Sequence, residues 1–216
     1  CKPHECKPLA ASSVRQIHWI LSGAFERAVR WNWISVSPLS AAEPPPPPVP
    51  NPSPPSPEDA SRVINDAWER DVDWGTFLWI AMVSGARRGE LCGLRRSYVN
   101  LVNEILTVPR SVNGSKKKMR EKDTKTHQQR RISLDSETVE ILCEHLQRQD
   151  ERASELGIII APDAFLFSLD PDCGTPLVPD SVTQRYERQV ARLGINTTLH
   201  KLRHYNATEL LAAGVD

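Results

Sequence analysis

Four basic side chains, Arg87, Lys125, His200 and Arg203, stand in three short segments whose residue types suit chemistry at an anionic centre. The first segment is Ser84-Gly85-Ala86-Arg87-Arg88-Gly89-Glu90-Leu91, a glycine-punctuated run that sets two arginines beside a glutamate. Its plainest reading is a surface helix junction with an Arg–Glu ion pair, which contributes little to stability. The second is Thr124-Lys125-Thr126 followed by Arg130-Arg131-Ile132-Ser133-Leu134. A lysine at a loop tip is ordinarily just solvated. The third is His200-Lys201-Leu202-Arg203-His204. His200 and Arg203, three positions apart, share one helix face. Both can reach one anionic group at the first turn of a helix, where the N-terminus itself favours negative charge. A helix-capping pair is the alternative.

Taken together, two arginines, a lysine and a histidine suit phosphoryl transfer on DNA without a metal. The transition state spreads negative charge over the phosphate oxygens, and preorganised guanidinium groups stabilise it through paired hydrogen bonds. A histidine can donate a hydrogen bond or move a proton. A lysine can protonate the leaving oxygen.

The elements that must position these groups are legible from periodicity. Residues 12–33 read as an amphipathic helix, with Val14, Ile17, Leu21, Ala24, Phe25 and Ala28 at helical spacing; it is short for a domain and is expected to pack with helices upstream. Residues 44–57 hold ten of the 18 prolines. Proline fixes φ and removes the donor, so this stretch is expected to be an extended linker spanning on the order of 40 Å; its PxxP matches also suit docking to a proline-binding module. Ser56-Pro57-Glu58-Asp59 then reads as a helix start, and Ala60, Val63, Ile64 and Ala67 give that helix its apolar face. Helical runs are expected over 74–84 and 88–95. Residues 104–110, 117–124 and 129–134 read as three strands, with Asn113-Gly114 as a hairpin-turn signal and Lys125 at the turn between the last two. Helices return at 136–156, 180–193 (apolar face Val182, Tyr186, Val190, Leu193) and 199–213, closed by Gly214. The order predicts a mainly α fold with a small three-stranded antiparallel β-sheet at one edge.

Bulk properties limit the classes. The 216 residues are 39% hydrophobic and 25% charged, with 27 basic and 27 acidic side chains. No run approaches the roughly 18 apolar residues of a membrane span, and residues 1–9 contain no signal-peptide core. The chain starts at Cys1 and is expected to begin partway into a longer protein. Five scattered cysteines fit a reducing cytoplasm rather than a disulfide scaffold. Cys1, His4 and Cys6 could hold a metal, but no second ligand pair has zinc-site spacing, and neither metal nor cofactor is expected. The neutral net charge argues mildly against a nucleic-acid partner. Against it, residues 110–131 gather nine Lys/Arg, among them Lys116, Lys117, Lys118 and Arg130. This stripe is either a phosphate-contacting surface or a solvated hairpin.

In this order the three segments resemble the first arginine box, the β-hairpin lysine and the H-x-L-R-H box of the tyrosine recombinases of the phage integrase family. The resemblance extends over nearly the whole chain, with Ser13 to Val36 similar to the end of the family's core-binding domain. It implies a DNA breaking-rejoining catalytic-domain architecture. It divides the chain into the C-terminal part of a helical core-binding domain (1–42), a proline-rich linker (43–57) and an incomplete catalytic domain (58–216). It implies a site-specific recombinase that cuts and rejoins DNA through a 3′-phosphotyrosine intermediate. Arg87, His200 and Arg203 would cradle the scissile phosphate, Glu90 would support Arg87, and Lys125 would be the general acid on the 5′-hydroxyl leaving group. Lys116, Lys117, Lys118 and Arg130 would lie along the DNA backbone. The implied partners are double-stranded DNA attachment sites and, on them, further copies forming a homotetramer. The family's nucleophilic tyrosine, and the histidine or tryptophan before it, fall beyond Asp216, so the chain by itself is expected to bind DNA weakly and not to cleave it. Tyr205 is not at the nucleophile's position, Tyr186 is expected on a core face, Tyr98 stands where the family often has an acid, and Arg96 where it often has a tryptophan. Alternatives are a type IB topoisomerase-like enzyme, and a non-catalytic helical DNA-binding or proline-docking adaptor.

Overall fold

A computed structural model describes residues 8–47, 53–114, 119–123 and 129–212, with the backbone alone for 122, 123 and 206–212. The chain forms two compact units, Cys1–Asn51 and Pro52–Asp216, and the division falls inside the proline-rich stretch.

In the first unit the helix α1 (Ala11–Arg30) ends in basic residues, Arg27 and Arg30, as the helix dipole favours. The expected helix over 12–33 is therefore present. None of its residues is buried. The segment after it folds back along it: Arg15 Nη1 donates to the Pro45 carbonyl at 2.6 Å, and the His18 ring meets the Ala42 carbonyl at 3.0 Å.

The second unit starts where the sequence places a helix start. The Ser56 side chain caps α2 (Pro57–Arg70) by accepting from the Asp59 amide at 3.1 Å, with proline at the first position and Glu58 and Asp59 in the first turn. Ala60, Val63, Ile64 and Ala67 are all buried. The next helix, α3 (Val72–Ser84), is apolar on every side and forms the centre of the core, with Phe77, Leu78 and Ile80 almost fully buried. It packs against α2, α4 (Arg88–Cys92), α5 (Ser136–Glu155) and α7 (Leu199–Ala212). The amphipathic α6 (Pro179–Leu193) buries Val182, Tyr186 and Val190, so Tyr186 is a core residue as its spacing implies.

The three-stranded antiparallel sheet is present, with a membership that differs from the sequence reading. It runs β1 (Val99–Asn100), β2 (Ile105–Val108), β5 (Arg130–Ser133) in spatial order. The expected middle strand, β4 (Arg120–Asp123), pairs instead with β3 (Arg110–Asn113) in a separate hairpin. Pro109 supplies the reason: with no amide donor and a fixed φ it interrupts what reads as one strand over 104–110, and β2 and β3 part company there. Asn113-Gly114 opens the connection from β3 to β4 rather than closing a two-residue turn, since Asn113 pairs with Arg120. In β2 and β5, Leu106 lies opposite Ile132 and Val108 opposite Arg130. Register therefore sets Arg130 at the end of β5, beside the core strand. Cys1, His4, Cys6, Lys116, Lys117, Lys118 and Lys125 lie outside the described residues, and among those described no cluster of His, Cys, Asp or Glu could hold a metal. No helix among the described residues is long and apolar enough to cross a membrane.

Candidate active site

The site is built on a buried carboxylate. Helix α3 stops at Gly85, whose left-handed backbone (φ 55°) a side chain would strain. The Ser84 hydroxyl accepts from the Ala86 amide at 3.2 Å and ties the turn. Ala86 is buried, which swings Arg87 outward as the extended residue preceding α4. Glu90, one turn on, is 2% exposed. One of its oxygens accepts from Arg87 Nη1 at 2.9 Å. The other accepts from the Arg87 backbone amide at 2.8 Å and from Arg130 Nη2 at 2.5 Å. A buried carboxylate is tolerated only when hydrogen-bonded and charge-paired, and here three donors from two elements do both.

Helix α4 can lie this close to β3 because Gly89 has no side chain. A Cβ there would sit 2.5 Å from the Val112 carbonyl and 2.7 Å from the Ser111 hydroxyl.

The other wall is α7. Leu202 is fully buried in the core cluster and fixes the helix rotation. His200 and Arg203 are thereby left together on a face that meets the α4 cations. Burial pushes the Arg203 guanidinium's proton affinity down, and Arg87 and Arg130 push it further, with Glu90 opposing them. His200 is lowered by burial, then by His204, Arg203 and Arg87. The His200 and His204 rings meet edge-on, centroids 4.7 Å apart. Arg203 Nη1 is buried and has no hydrogen-bond acceptor. Three guanidinium groups thus gather at one carboxylate, with the His200 ring beside Arg203 and Arg87, and a buried donor is left over. An arrangement of this kind demands an anion with several acceptor oxygens.

Comparison with known proteins agrees with the architecture. The family model for the phage integrase family matches residues 57–216. The chain belongs to that family. It is 30% identical over 143 residues to transposase A from transposon Tn554 of Staphylococcus aureus, covering 65% of this chain and 36% of that protein. The chain therefore spans little more than a third of these curated relatives. Among solved structures, the Tn1549 transposon integrase in complex with transposon right end DNA superimposes with a TM-score of 0.79 at 20% identity, covering 96% of this chain and 69% of that one. The lambda integrase bound to DNA gives a TM-score of 0.65 at 19% identity, covering 94% and 66%. At these identities the likeness establishes the mostly helical fold with its small sheet.

The geometry separates residues that stand side by side in the sequence. Of the two adjacent arginines, Arg87 turns to Glu90, whereas Arg88 turns to α6, donating to the Thr183 hydroxyl at 2.5 Å with Asp180 at 3.5 Å. Arg130, grouped by sequence with the hairpin lysines, is instead held on Glu90. His204 was visible only as the last letter of the H-x-L-R-H motif, and its place beside the His200 ring depends on the helix being formed. Arg96 pairs with Asp150 at 2.8 Å, on the far side of its short 3₁₀ turn. A separate cavity of about 390 Å³ lies between Asp73, His145, Phe167 and Arg185, and none of the site residues lines it.

Proposed function

We propose that this chain carries the phosphate-holding part of a site-specific DNA recombinase that cuts and rejoins DNA through a 3′-phosphotyrosine intermediate. The observation that carries the reading is the buried, acceptor-less Nη1 of Arg203 facing the Arg87, Arg130 and Glu90 cluster. A scissile phosphodiester supplies the missing acceptor. Arg87 and Arg203 then hold the two non-bridging oxygens, where charge grows as the fifth ligand approaches phosphorus. Glu90 orients Arg87. His200, whose proton affinity is lowered by burial and by the charged groups around it, donates a hydrogen bond to the same phosphate. Lys125 is assigned as the acid that protonates the departing 5′ oxygen, on its place five residues before Arg130 in the family's pattern. Double-stranded attachment-site DNA is the assigned partner, recognised largely through its backbone and hence salt-sensitively, with a homotetramer as the working assembly. Residues 1–42, 43–57 and 58–216 are assigned as the end of the core-binding domain, the linker and the catalytic domain. The Lys116–Lys118 run is assigned to the DNA backbone, and the cytoplasm is the assigned compartment.

Covalent capture tests this. The whole protein, given a suicide duplex of its own attachment site, is expected to form a 3′-phosphotyrosine adduct. Arg87→Ala and Arg203→Ala should each slow adduct formation by roughly 100- to 1000-fold, as loss of a preorganised donor does elsewhere. A protein that binds the duplex yet yields no adduct would sink the proposal.

A further inference from the structure

Arg130 stands out because its position is explained neither by the fold nor by contact with a phosphate. Its guanidinium leaves the end of β5 to reach a carboxylate that already has two donors from Arg87. A simple ion pair would not need it, since Arg87, just before α4, and Glu90, within it, are three residues apart and pair without help.

Charge and hydrogen-bond inventory give the reason. Arg87 and Glu90 by themselves sum to zero, and a lone buried carboxylate draws its arginine partner into a closed two-pronged pair that turns donors away from any ligand. Arg130 occupies the oxygen of Glu90 that would receive the second prong. Arg87 then meets Glu90 side chain to side chain through Nη1 and Oε1 only, and the rest of its guanidinium remains outward, in keeping with a side chain 54% exposed. Three guanidinium groups against one carboxylate also leave two net positive charges. A phosphodiester carries one negative charge, and its five-coordinate transition state gathers a second. We infer that Arg130 is a positioning residue for phosphate binding: it occupies one oxygen of Glu90, and so keeps Arg87 open to the phosphate. The inference rests on the phosphate reading of the site and adds to it a residue that acts through Glu90 and Arg87 rather than on the ligand.

The device also joins two elements remote in sequence. Glu90 belongs to α4, and Arg130 opens β5 after the segment that carries Lys125. Their ion pair at 2.5 Å holds the start of β5 to α4.

The test is a double-substitution cycle on this chain with inorganic phosphate as the probe. Binding is followed through the arginine Nε–H and His200 ring resonances, and folding through thermal unfolding of each variant. Arg130→Ala is expected to weaken phosphate about tenfold, the loss of one charge-assisted interaction. In an Arg87→Ala background the same substitution should change affinity less than about twofold, because its route is gone. The slowed rotation of the Arg87 guanidinium in the phosphate complex should become fast in Arg130→Ala, which a purely structural role would not produce. Arg130→Lys, which keeps a donor and the charge for Glu90 without the planar fork, should recover to within about threefold of the unsubstituted chain. If Arg130→Ala does not fold, Arg130→Gln carries the same cycle. Equal losses with and without Arg87 would mean that Arg130 meets the phosphate directly, and would overturn the inference while leaving the site reading intact. No phosphate-dependent shift at His200 in the unsubstituted chain would overturn the site reading and this inference with it.

Discussion

Two charged clusters in the second unit are built from similar residues and end in opposite states. Around Asp73, each basic side chain finds its acceptor. His145, almost fully buried, meets the Asp73 carboxylate at 3.0 Å and the Leu166 carbonyl at 2.7 Å, while Arg152 and Arg148 reach the same carboxylate at 2.5 and 3.4 Å. Burial by itself would raise the Asp73 carboxyl, but the hydrogen bonds from His145 and Arg152 overcome it and hold the group well below the usual carboxylate range. Around Glu90 the carboxylate is equally satisfied, yet a buried guanidinium donor is left over on Arg203. The Asp73 cluster ties α3 to α5 and is complete. The Glu90 cluster is complete only when something anionic arrives. A satisfied network stabilises a fold, whereas an unsatisfied one marks a place where stability has been yielded to binding.

The difference is open to experiment in several ways. Asp73→Ala should produce the largest change in stability, a loss of about 3 kcal/mol, because it strands the buried His145 and removes the acceptor shared by Arg148 and Arg152. Phosphate affinity should stay unchanged, as chemical denaturation and titration in parallel would show; a matching fall in affinity would erase the distinction between the clusters. The pH dependence has a definite sign. The folded Asp73 carboxyl lies below its ordinary value of 3.8, so its contribution is present above that pH and fades as the pH falls below it. Acid unfolding of Asp73→Asn should therefore be less steep than that of the unsubstituted chain.

Gly89→Ala should rank next, at about 2 kcal/mol, since the new methyl would have to displace the Val112 carbonyl. Unlike Asp73→Ala it should also weaken phosphate, because the displaced helix carries Arg87 and Glu90. Stability loss without any change in binding would show that α4 moves freely of the site.

Arg203→Met should act in the reverse sense. Removing a buried cation that lacks an acceptor and is repelled by Arg87 and Arg130 should leave stability unchanged or raise it by about 1 kcal/mol, while phosphate binding is lost. A clear drop in the unfolding midpoint would mean that Arg203 has a structural partner after all.

The smallest effect concerns His200. In the empty site burial, then His204, Arg203 and Arg87, hold its pKa below the ordinary 6.5. An arriving phosphate favours the protonated ring. The His200 ring resonances should therefore titrate at higher pH with phosphate than without it. A ring titration that phosphate does not move would place His200 outside the site.

Much of this was legible in the order of residues because it depends on neighbours within a turn or two. The cap at Ser56, the proline after it and the four buried positions of α2 follow from short-range rules and the helical period. So does the sharing of one face by His200 and Arg203, and the burial of Tyr186 that sets the rotation of its helix. The strand pairing was less legible. The stretch from Glu104 to Arg110 alternates as one strand would, but pairing is decided by partners 13 to 28 residues away, and Pro109 divides the stretch between β5 and β4.

The amino-acid order alone determined which basic residues are available, their sequence along the chain, and the helices that carry them, because local backbone preferences and apolar periodicity act over a few residues. Only the tertiary structure decided that Arg88 turns away to α6, and that Arg130 joins Arg87 on Glu90 from β5. It also decided that Arg203 keeps a donor in reserve. Those choices depend on which charged groups packing brings within hydrogen-bond reach, and burial then makes each pairing, or its absence, consequential.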